Sequence, residues 1–183
     1  MIGPQPVAGT AALPEQVAVL IIGAGFAGLG SAIKLADSGE QDFLCIDRGA
    51  EVGGTRRDNT YPGATCDVPS QLYSFSFALN PDWSRSFSSQ PEIQDYLRKV
   101  ASESGVLDRF RFGVEFLAAC WDEESALWRI ETSAGPVAAK LLVSAAGALS
   151  EPKLPDLAGI EAFSGAVFHS ARWNHDQDLT GKR

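Results

Sequence analysis

The chain has 183 residues, of which 45% are hydrophobic and 21% are charged, so it is long and apolar enough to bury the core of one ordinary domain. Its formal net charge of −8 argues against non-specific binding to nucleic acid and against docking on anionic membranes. The charge does not exclude an anionic small molecule, because backbone N–H groups hold much of such a ligand.

The cysteines and the longest apolar run bear on where the protein resides. Cys45, Cys66 and Cys120 have neither CxxC nor zinc-ligand spacing, so we expect reduced structural thiols, no metal site and a cytoplasmic protein. The apolar run over 17–33 contains four glycines and is followed by a lysine, so we expect neither a signal peptide nor a transmembrane helix. Residues 1–15 lack periodicity and are expected to form a flexible arm.

The central pattern is an apolar strand that runs into closely spaced glycines. Val17–Ile22 is continuously apolar, as in a parallel strand buried on both faces. Gly23, Gly25 and Gly28 follow in GxGxxG spacing, and an amphipathic helix is predicted from about Phe26 to Ser38. Strand, tight turn and helix in this order predict that the helix N-terminus receives the pyrophosphate of a dinucleotide.

A second strand, predicted over Asp42–Asp47, ends in an acid. Asp47 lies 19 residues after Gly28, the distance at which a carboxylate reaches the ribose hydroxyls of a bound adenosine. The alternative is a solvated acid at a strand end, but the preceding strand, turn and helix favour ribose binding. Because a carboxylate repels a 2′-phosphate, we expect this site to prefer FAD or NAD to NADP.

The middle of the chain is irregular before it becomes regular again. Residues 48–70 are predicted to form a functional loop, in which Gly53 and Gly54 allow the backbone to approach a ligand closely. The aromatic segment 71–88 is interpreted either as core packing beneath that loop or as the wall of a ligand cavity.

Regular elements are predicted again from Ser89 onward. A helix is predicted to begin there, with Glu92 in capping-box spacing and a proline in the first turn. Three strands joined by short polar links, roughly Phe110–Trp121, Leu127–Thr132 and Val137–Val143, predict an antiparallel meander. The last strand is expected to return to the parallel sheet near the ligand.

Several stretches together resemble the Baeyer–Villiger monooxygenases. FSGAVFHSARWN fits their fingerprint F-x-G-x-x-x-H-x-x-x-W through Phe163, Gly165, His169 and Trp173, while Asn174 departs at the last place, where the family has Pro or Asp. Other similar stretches are VGGT at 52–55, RDNTYPGATCDVPS at 57–70, LYSFSF at 72–77, PDWSRSFSSQPEI at 81–93 and SAAGALSEPKLPDLAG at 144–159. The chain thus resembles the N-terminal part of these flavin-containing, NADPH-dependent class B monooxygenases.

The resemblance implies an α/β fold with a specific domain plan. It implies an FAD-binding, doubly wound (Rossmann-like) parallel sheet with an inserted antiparallel β-meander, in truncated form. Residues 16–160 would be the FAD-binding domain, without its C-terminal return, and residues 161–183 the fingerprint linker that leads to an absent NADPH-binding domain.

The resemblance also implies a reaction. In this family NADPH reduces FAD, and the reduced flavin takes O2 to form a C4a-peroxyflavin that inserts oxygen into a ketone. The chain would then be the FAD-binding portion of an oxidoreductase that needs NADPH when complete. The alternatives are an inactive, truncated or degenerate flavin-binding module, oxygenation of sulfur or nitrogen, and a separate chain that supplies the NADPH-binding half.

The family pattern assigns site residues by position. Asp67 matches a flavin-side carboxylate with a catalytic role, and His169 matches the fingerprint histidine, to which we assign positioning and not general-base catalysis. The residues that match cofactor-binding positions are Gly23, Gly25, Gly28, Asp47, Gly54, Thr55, Asp67 and Tyr73.

Arg56 is the main departure from the family pattern within the site. Family members usually have Trp after GGT, so a flat apolar ring beside the flavin is replaced by a cation. Arg56 could stabilise an anionic flavin or peroxide, or it could mark a damaged site. We expect loss or alteration of function.

Overall fold

The computed structural model describes residues 12–182, and most of the arm expected over 1–15 therefore lies outside the described residues. β1 (Gln16–Ile22) leads through the glycine turn into α1 (Phe26–Asp37), and β2 (Phe43–Asp47) follows. These bounds agree with the predicted elements to within one residue. They agree because a continuous apolar run, a glycine-rich turn and an amphipathic helical pattern are local signals.

The sheet has six strands in the order β3-β2-β1-β6-β5-β4, and it combines parallel and antiparallel pairing. β1 pairs in parallel with β2 on one side and with β6 (Gly135–Ser144) on the other. β6 in turn pairs antiparallel with β5 (Leu127–Thr132). The predicted α/β fold with a doubly wound parallel sheet and a meander is confirmed.

The strand predicted over Phe110–Trp121 is wrong as a single element. It is divided into β3 (Phe110–Phe112), which pairs in parallel with β2, and β4 (Phe116–Asp122), which pairs antiparallel with β5. Gly113 separates the two with a φ of +73°. The chain therefore turns from the parallel edge into the meander at this glycine, which the sequence reading had placed inside a strand.

β6 belongs to both parts of the sheet. Its first half, to Ala139, pairs with β5, and from Ala138 onward it pairs with β1. The predicted return of this strand to the parallel sheet is thus confirmed. From Lys140 to Ser144, no strand among residues 12–182 pairs with the edge of β6 opposite β1, and Leu141 on this stretch is 61% exposed.

The two faces of the parallel sheet are covered differently. α1 and α3 (Gln90–Glu103) cover one face, where α3 buries an apolar stripe that includes Leu97 and Val100. The meander covers the other face, where Leu20, Ile46 and Ile130 belong to one buried apolar cluster. This two-sided cover accounts for the continuously apolar sequences of β1 and β2.

The predicted capping box of α3 is wrong. Ser89 does occupy the N-cap position, but its side chain makes no capping hydrogen bond. The Glu92 carboxylate instead accepts hydrogen bonds from the backbone N–H and the hydroxyl of Ser84, at 2.7 and 2.8 Å. Glu92 therefore fastens the aromatic segment to α3, a contact that the capping-box spacing did not indicate.

Beyond β6 the chain is mostly irregular. Its short 3-10 helices are Ile160–Ala162 and Ser170–Arg172, and a further one, Leu107–Arg109, precedes β3. Within the described part of the chain, no helix is long and apolar enough to cross a membrane, and no group of three or more metal-binding side chains occurs. All three cysteines are free, as predicted.

Candidate functional site

A cleft of about 520 Å³ lies at the carboxyl ends of β1, β2 and β6. Ile22, Asp47 and Ser144, the last residues of these strands, all line it. Ligands of open α/β sheets bind at this edge, because the strand ends and the following loops leave a crevice there. The volume lies in the range of small-molecule sites.

The glycine turn is built so tightly that side chains are excluded at two positions. Gly23 has a φ of +101°, and a Cβ on Gly23 would lie 2.5 Å from the carbonyl oxygen of Ala145. A Cβ on Gly28 would lie 1.7 Å from the carbonyl oxygen of Gly23. Gly28 therefore does not line the cleft but holds α1 against the turn, which is the packing role of the third glycine in this motif.

Gly25 differs from the other two glycines because the space around it is open. It is the N-cap of α1, and a Cβ there would meet only the Cα of Gly54, at 3.7 Å. No side chain caps the helix, so the first N–H groups of α1 are available to an anion. The turn thus leaves room at the point where a pyrophosphate is expected.

Asp47 lines the cleft, but its carboxylate is already held by the protein. Oδ2 accepts from the N–H of Ala24 at 2.7 Å, and Oδ1 accepts from the N–H of Gly49 at 2.6 Å. The Asp47 side chain is only 8% exposed. Asp47 is therefore an ordered, nearly buried acid at the end of β2, and the alternative of a solvated acid at a strand end is wrong.

Arg57 is the cationic partner of Asp47, and the sequence reasoning had assigned it no role. Its Nη1 donates to Asp47 Oδ1 at 2.9 Å and to the carbonyl of Glu51 at 2.6 Å. Its Nε and Nη2 donate to the two carboxylate oxygens of Asp58, at 2.7 and 3.1 Å. Arg57 therefore ties the end of β2 to α2 (Thr55–Asp58). The sequence signal that could have indicated this role is the pair of nearby acids, Asp47 and Asp58, since arginine forms strong hydrogen bonds with carboxylates.

Gly54, Thr55 and Tyr73, three of the residues predicted to bind the cofactor, all line the cleft. Gly54 has a φ of +51° and begins α2 together with Thr55. The Tyr73 ring packs edge-on against Phe26 at 4.8 Å between ring centroids. The aromatic segment 71–88 fits both earlier interpretations, because Tyr73 faces the cleft while Phe75 packs against the core.

Arg56 contacts Tyr73 on the same wall of the cleft. Its Nη2 donates to the Tyr73 hydroxyl at 3.1 Å, and the guanidinium lies 4.8 Å from the centre of the Tyr73 ring. The same nitrogen lies 3.6 Å from the sulfur of Cys66. The half-buried Arg56 side chain is thus held against the wall of the cleft.

Asp67 and His169 are not brought to the cleft. Asp67 is exposed and does not line it. His169 precedes the last 3-10 helix, where its Nδ1 accepts from the N–H of Ala171 at 3.0 Å. Trp173 of the fingerprint packs edge-on against Phe168 at 4.9 Å between ring centroids. The fingerprint residues therefore order their own segment.

The cleft also contains residues that were not predicted to bind the cofactor. They include Arg48, residues 114–116 at the entry to β4, residues 144–147 from the end of β6 onward, and Ser150 and Glu151. Arg48 forms an ion pair with Glu151, and this hydrogen bond raises the pKa of Arg48 and lowers that of Glu151. The pair joins the residue that follows β2 to the segment after β6, across 103 positions of the sequence.

Cys45, beside the turn, is a buried thiol that is not suited to redox chemistry. Its sulfur donates to the carbonyl of Gly23 at 3.4 Å. Burial, and then the charge of Asp47, raise the pKa of Cys45 well above its usual range. The thiol therefore stays protonated, as a structural cysteine does.

Comparisons with known proteins agree with this geometry. The pyridine nucleotide-disulphide oxidoreductase family matches residues 20–182. A Baeyer–Villiger monooxygenase of Streptomyces coelicolor is 53% identical over 169 residues, which are 92% of this chain and 33% of that protein. A Baeyer–Villiger monooxygenase of Pseudomonas aeruginosa is 47% identical over 175 residues, with 95% and 33% covered.

Solved structures show the same likeness. Cyclohexanone monooxygenase from Rhodococcus sp. Phi1, bound to NADP+, has a TM-score of 0.81 and 36% identity, with 91% of this chain and 32% of that chain covered. OTEMO in complex with FAD and NADP has a TM-score of 0.80 and 36% identity, with 88% and 31% covered. The chain spans about a third of the length of the relatives it matches.

The fold, the glycine turn and these matches place the chain in the pyridine nucleotide-disulphide oxidoreductase family. Within that family it is a homologue of Baeyer–Villiger monooxygenases, so the resemblance seen in the sequence is confirmed.

Proposed function

We propose that this chain is the FAD-binding portion of a flavin-dependent, NADPH-dependent monooxygenase. The observation that carries the proposal is the cleft itself, where the uncapped N-terminus of α1, the glycine turn and Asp47 lie together. These groups fit the diphosphate and the ribose of a dinucleotide. The NADP-bound and FAD-bound structures among the relatives support the choice of cofactors.

The cleft residues have separate roles in this proposal. Gly25 leaves room for the pyrophosphate, while Gly23 and Gly28 shape the turn that presents it to α1. Asp47 accepts from the ribose through the capacity left on Oδ2, which receives only one hydrogen bond from the protein. Gly54, Thr55 and Tyr73 form the wall on the flavin side.

Asp67 and His169 keep their proposed roles on the resemblance alone. A flavin-side role for Asp67 requires the loop around Cys66 to turn toward the cleft, because Asp67 is exposed in the described structure. His169 holds the turn that follows it through its Nδ1, which is consistent with positioning. Neither residue is proposed as a general base.

FAD, when bound, supplies the redox and oxygen chemistry, and the chain's own residues bind it, orient it and exclude water. We propose a ketone as the substrate of the complete enzyme, with sulfur or nitrogen oxygenation as the alternatives.

Residues 16–160 form the FAD-binding domain in this proposal, and residues 161–183 lead toward the NADPH-binding half. In this proposal a strand from the rest of the protein pairs with the edge of β6 that no strand among residues 12–182 occupies. A cytoplasmic location, expected from the free thiols, belongs to the same proposal.

Titration of the purified protein with FAD, followed by flavin fluorescence, tests the proposal. We expect FAD to bind, ADP to compete, and NADP+ to compete less well than NAD+, because Asp47 disfavours a 2′-phosphate. Asp47→Asn should weaken the binding of FAD and of ADP to a similar extent. Asp37→Asn, which neutralises an exposed acid of α1 outside the cleft, should leave the binding of both ligands unchanged. Absence of FAD binding would overturn the proposal, and FAD binding without NADPH oxidation by the complete protein would favour the binding module.

A further inference from the structure

Arg56 is the one cleft arginine without an acidic partner in the part of the chain that the structure describes. Arg48 and Arg57, which also line the cleft, are each paired with a carboxylate. The guanidinium of Arg56 has none within 4.0 Å among residues 12–182, and its Nε is buried without a hydrogen-bond partner. A partly buried cation without a counter-charge is costly, so an anion or hydrogen-bond acceptor that binds beside Arg56 is bound more tightly.

The position of Arg56 decides which part of a dinucleotide it can meet. Arg56 and Arg57 are consecutive in α2, and consecutive helix residues point about 100° apart. Arg57 reaches Asp47 at the ribose end of the cleft, and Arg56 reaches Tyr73. With the ribose at Asp47 and the pyrophosphate at the start of α1, the remaining end of the dinucleotide lies toward Arg56. That end of FAD is the flavin.

The surroundings of Arg56 suit a flat aromatic ring that acquires charge. Tyr73 and Phe26 line the same wall and present aromatic faces and edges. The Tyr73 hydroxyl already accepts from Nη2, which fixes the guanidinium beside the cleft. Since no carboxylate competes for the guanidinium there, its charge is available to a ligand.

We propose that Arg56 is a cofactor-binding residue that neutralises the negative charge of the reduced flavin. The inference rests on the proposed function, because it requires FAD in this cleft. Hydride transfer from a nicotinamide breaks its C–H bond and forms an N–H bond on the flavin. The hydride's electron pair leaves the flavin ring with one negative charge, and the nicotinamide becomes oxidised. The oxidised flavin ring is neutral, so Arg56 binds the reduced form more tightly than the oxidised form.

The expected effect is a change in the ratio of two affinities. Arg56→Gln should weaken binding of reduced FAD at least about tenfold more than binding of oxidised FAD. For a two-electron couple, a tenfold change in an equilibrium constant corresponds to about 30 mV, so the midpoint potential of bound FAD should fall by about that amount or more. Arg56→Lys keeps the charge and should retain most of the effect.

The test is a reductive titration of the FAD-loaded protein with dithionite against a reference dye. Arg85→Gln is the matched control, because Arg85 is exposed, lies outside the cleft and carries the same charge. Urea unfolding of each variant monitors the fold. Should Arg56→Gln not fold, Arg56→Trp supplies a second neutral variant, with the residue that the family usually has.

The outcomes separate this inference from the proposed function. A lowered potential in Arg56→Gln and an unchanged one in Arg85→Gln support the role of Arg56. An unchanged potential in Arg56→Gln with FAD still bound overturns that role and leaves the proposed function standing. Equal weakening of ADP and FAD would assign Arg56 to the diphosphate and would also overturn it. Failure of the unsubstituted protein to bind FAD overturns both.

Discussion

Replacing Gly28 and Gly25 by alanine, one at a time, separates folding from ligand binding in the turn. A Cβ on Gly28 would lie 1.7 Å from the backbone carbonyl oxygen of Gly23, so the turn itself must move. A Cβ on Gly25 would have the Cα of Gly54, at 3.7 Å, as its neighbour, and the φ of −77° suits alanine. The protein therefore accommodates a methyl group at Gly25 but not at Gly28.

The expected magnitudes differ accordingly. Overpacking costs about 3 kcal/mol when backbone has to shift, and the helix propensity of alanine offsets about 1 kcal/mol of that, so Gly28→Ala should lower the free energy of unfolding by about 2 kcal/mol. Gly25→Ala loses only the N-cap preference of glycine, at most about 1 kcal/mol. Its methyl group does occupy the space left for the pyrophosphate, so FAD affinity should fall at least about tenfold, equivalent to about 1.4 kcal/mol.

Urea unfolding followed by tryptophan fluorescence gives the stabilities, and FAD titration gives the affinities. Gly28→Ala with the stability of the unsubstituted protein would refute the packing argument, because the close contact would then have relaxed at no cost. Gly25→Ala with undiminished FAD affinity would show that the ligand does not approach this turn. The two variants serve as controls for each other, since each changes one hydrogen to one methyl group.

Three further predictions concern the cleft, the loop beside it and the sheet edge. Arg57→Met leaves the nearly buried Asp47 carboxylate without its cation and should lower the free energy of unfolding by about 3 kcal/mol. It should also weaken the binding of ADP but not that of riboflavin. Unchanged stability in urea would contradict this prediction. The hydrogen bonds from Arg98 lower the pKa of Glu51, so their contribution to stability is present above the ordinary value of 4.5 and is lost as the pH falls through the lower pKa of the folded protein. Glu51→Gln should therefore flatten the decline of the urea midpoint on the acid side. A decline parallel to that of the unsubstituted protein would count against this role of the pair. We expect the edge of β6 that no strand among residues 12–182 pairs with to promote self-association of this chain. Leu141→Lys places a charge at this edge and should reduce the association measured by light scattering, whereas equal association would exclude the edge as the contact.

The parts of the fold that could be predicted are those encoded by neighbouring residues. The apolar run of β1, the glycine spacing and the stripe of α1 each act within one element, and all three are present as expected. The break at Gly113 was missed because apolar residues continue on both sides of it, so the pattern resembles one long strand. Glu92 was misassigned because Ser84, which binds it, lies outside the capping-box window.

The candidate site likewise has features that neighbouring residues encode and features that depend on distant segments. The sequence by itself predicted that Gly23, Gly25 and Asp47 lie together, since strand, turn and helix lengths place them at one edge of the sheet, and all three line the cleft. Only the tertiary structure decided that Asp47 is paired with Arg57 and that Arg56 has no acidic partner among residues 12–182. The physical reason is that propensity and periodicity act over a few residues. The partner of a charged side chain depends instead on how distant segments meet, as Arg48 and Glu151 do across 103 positions.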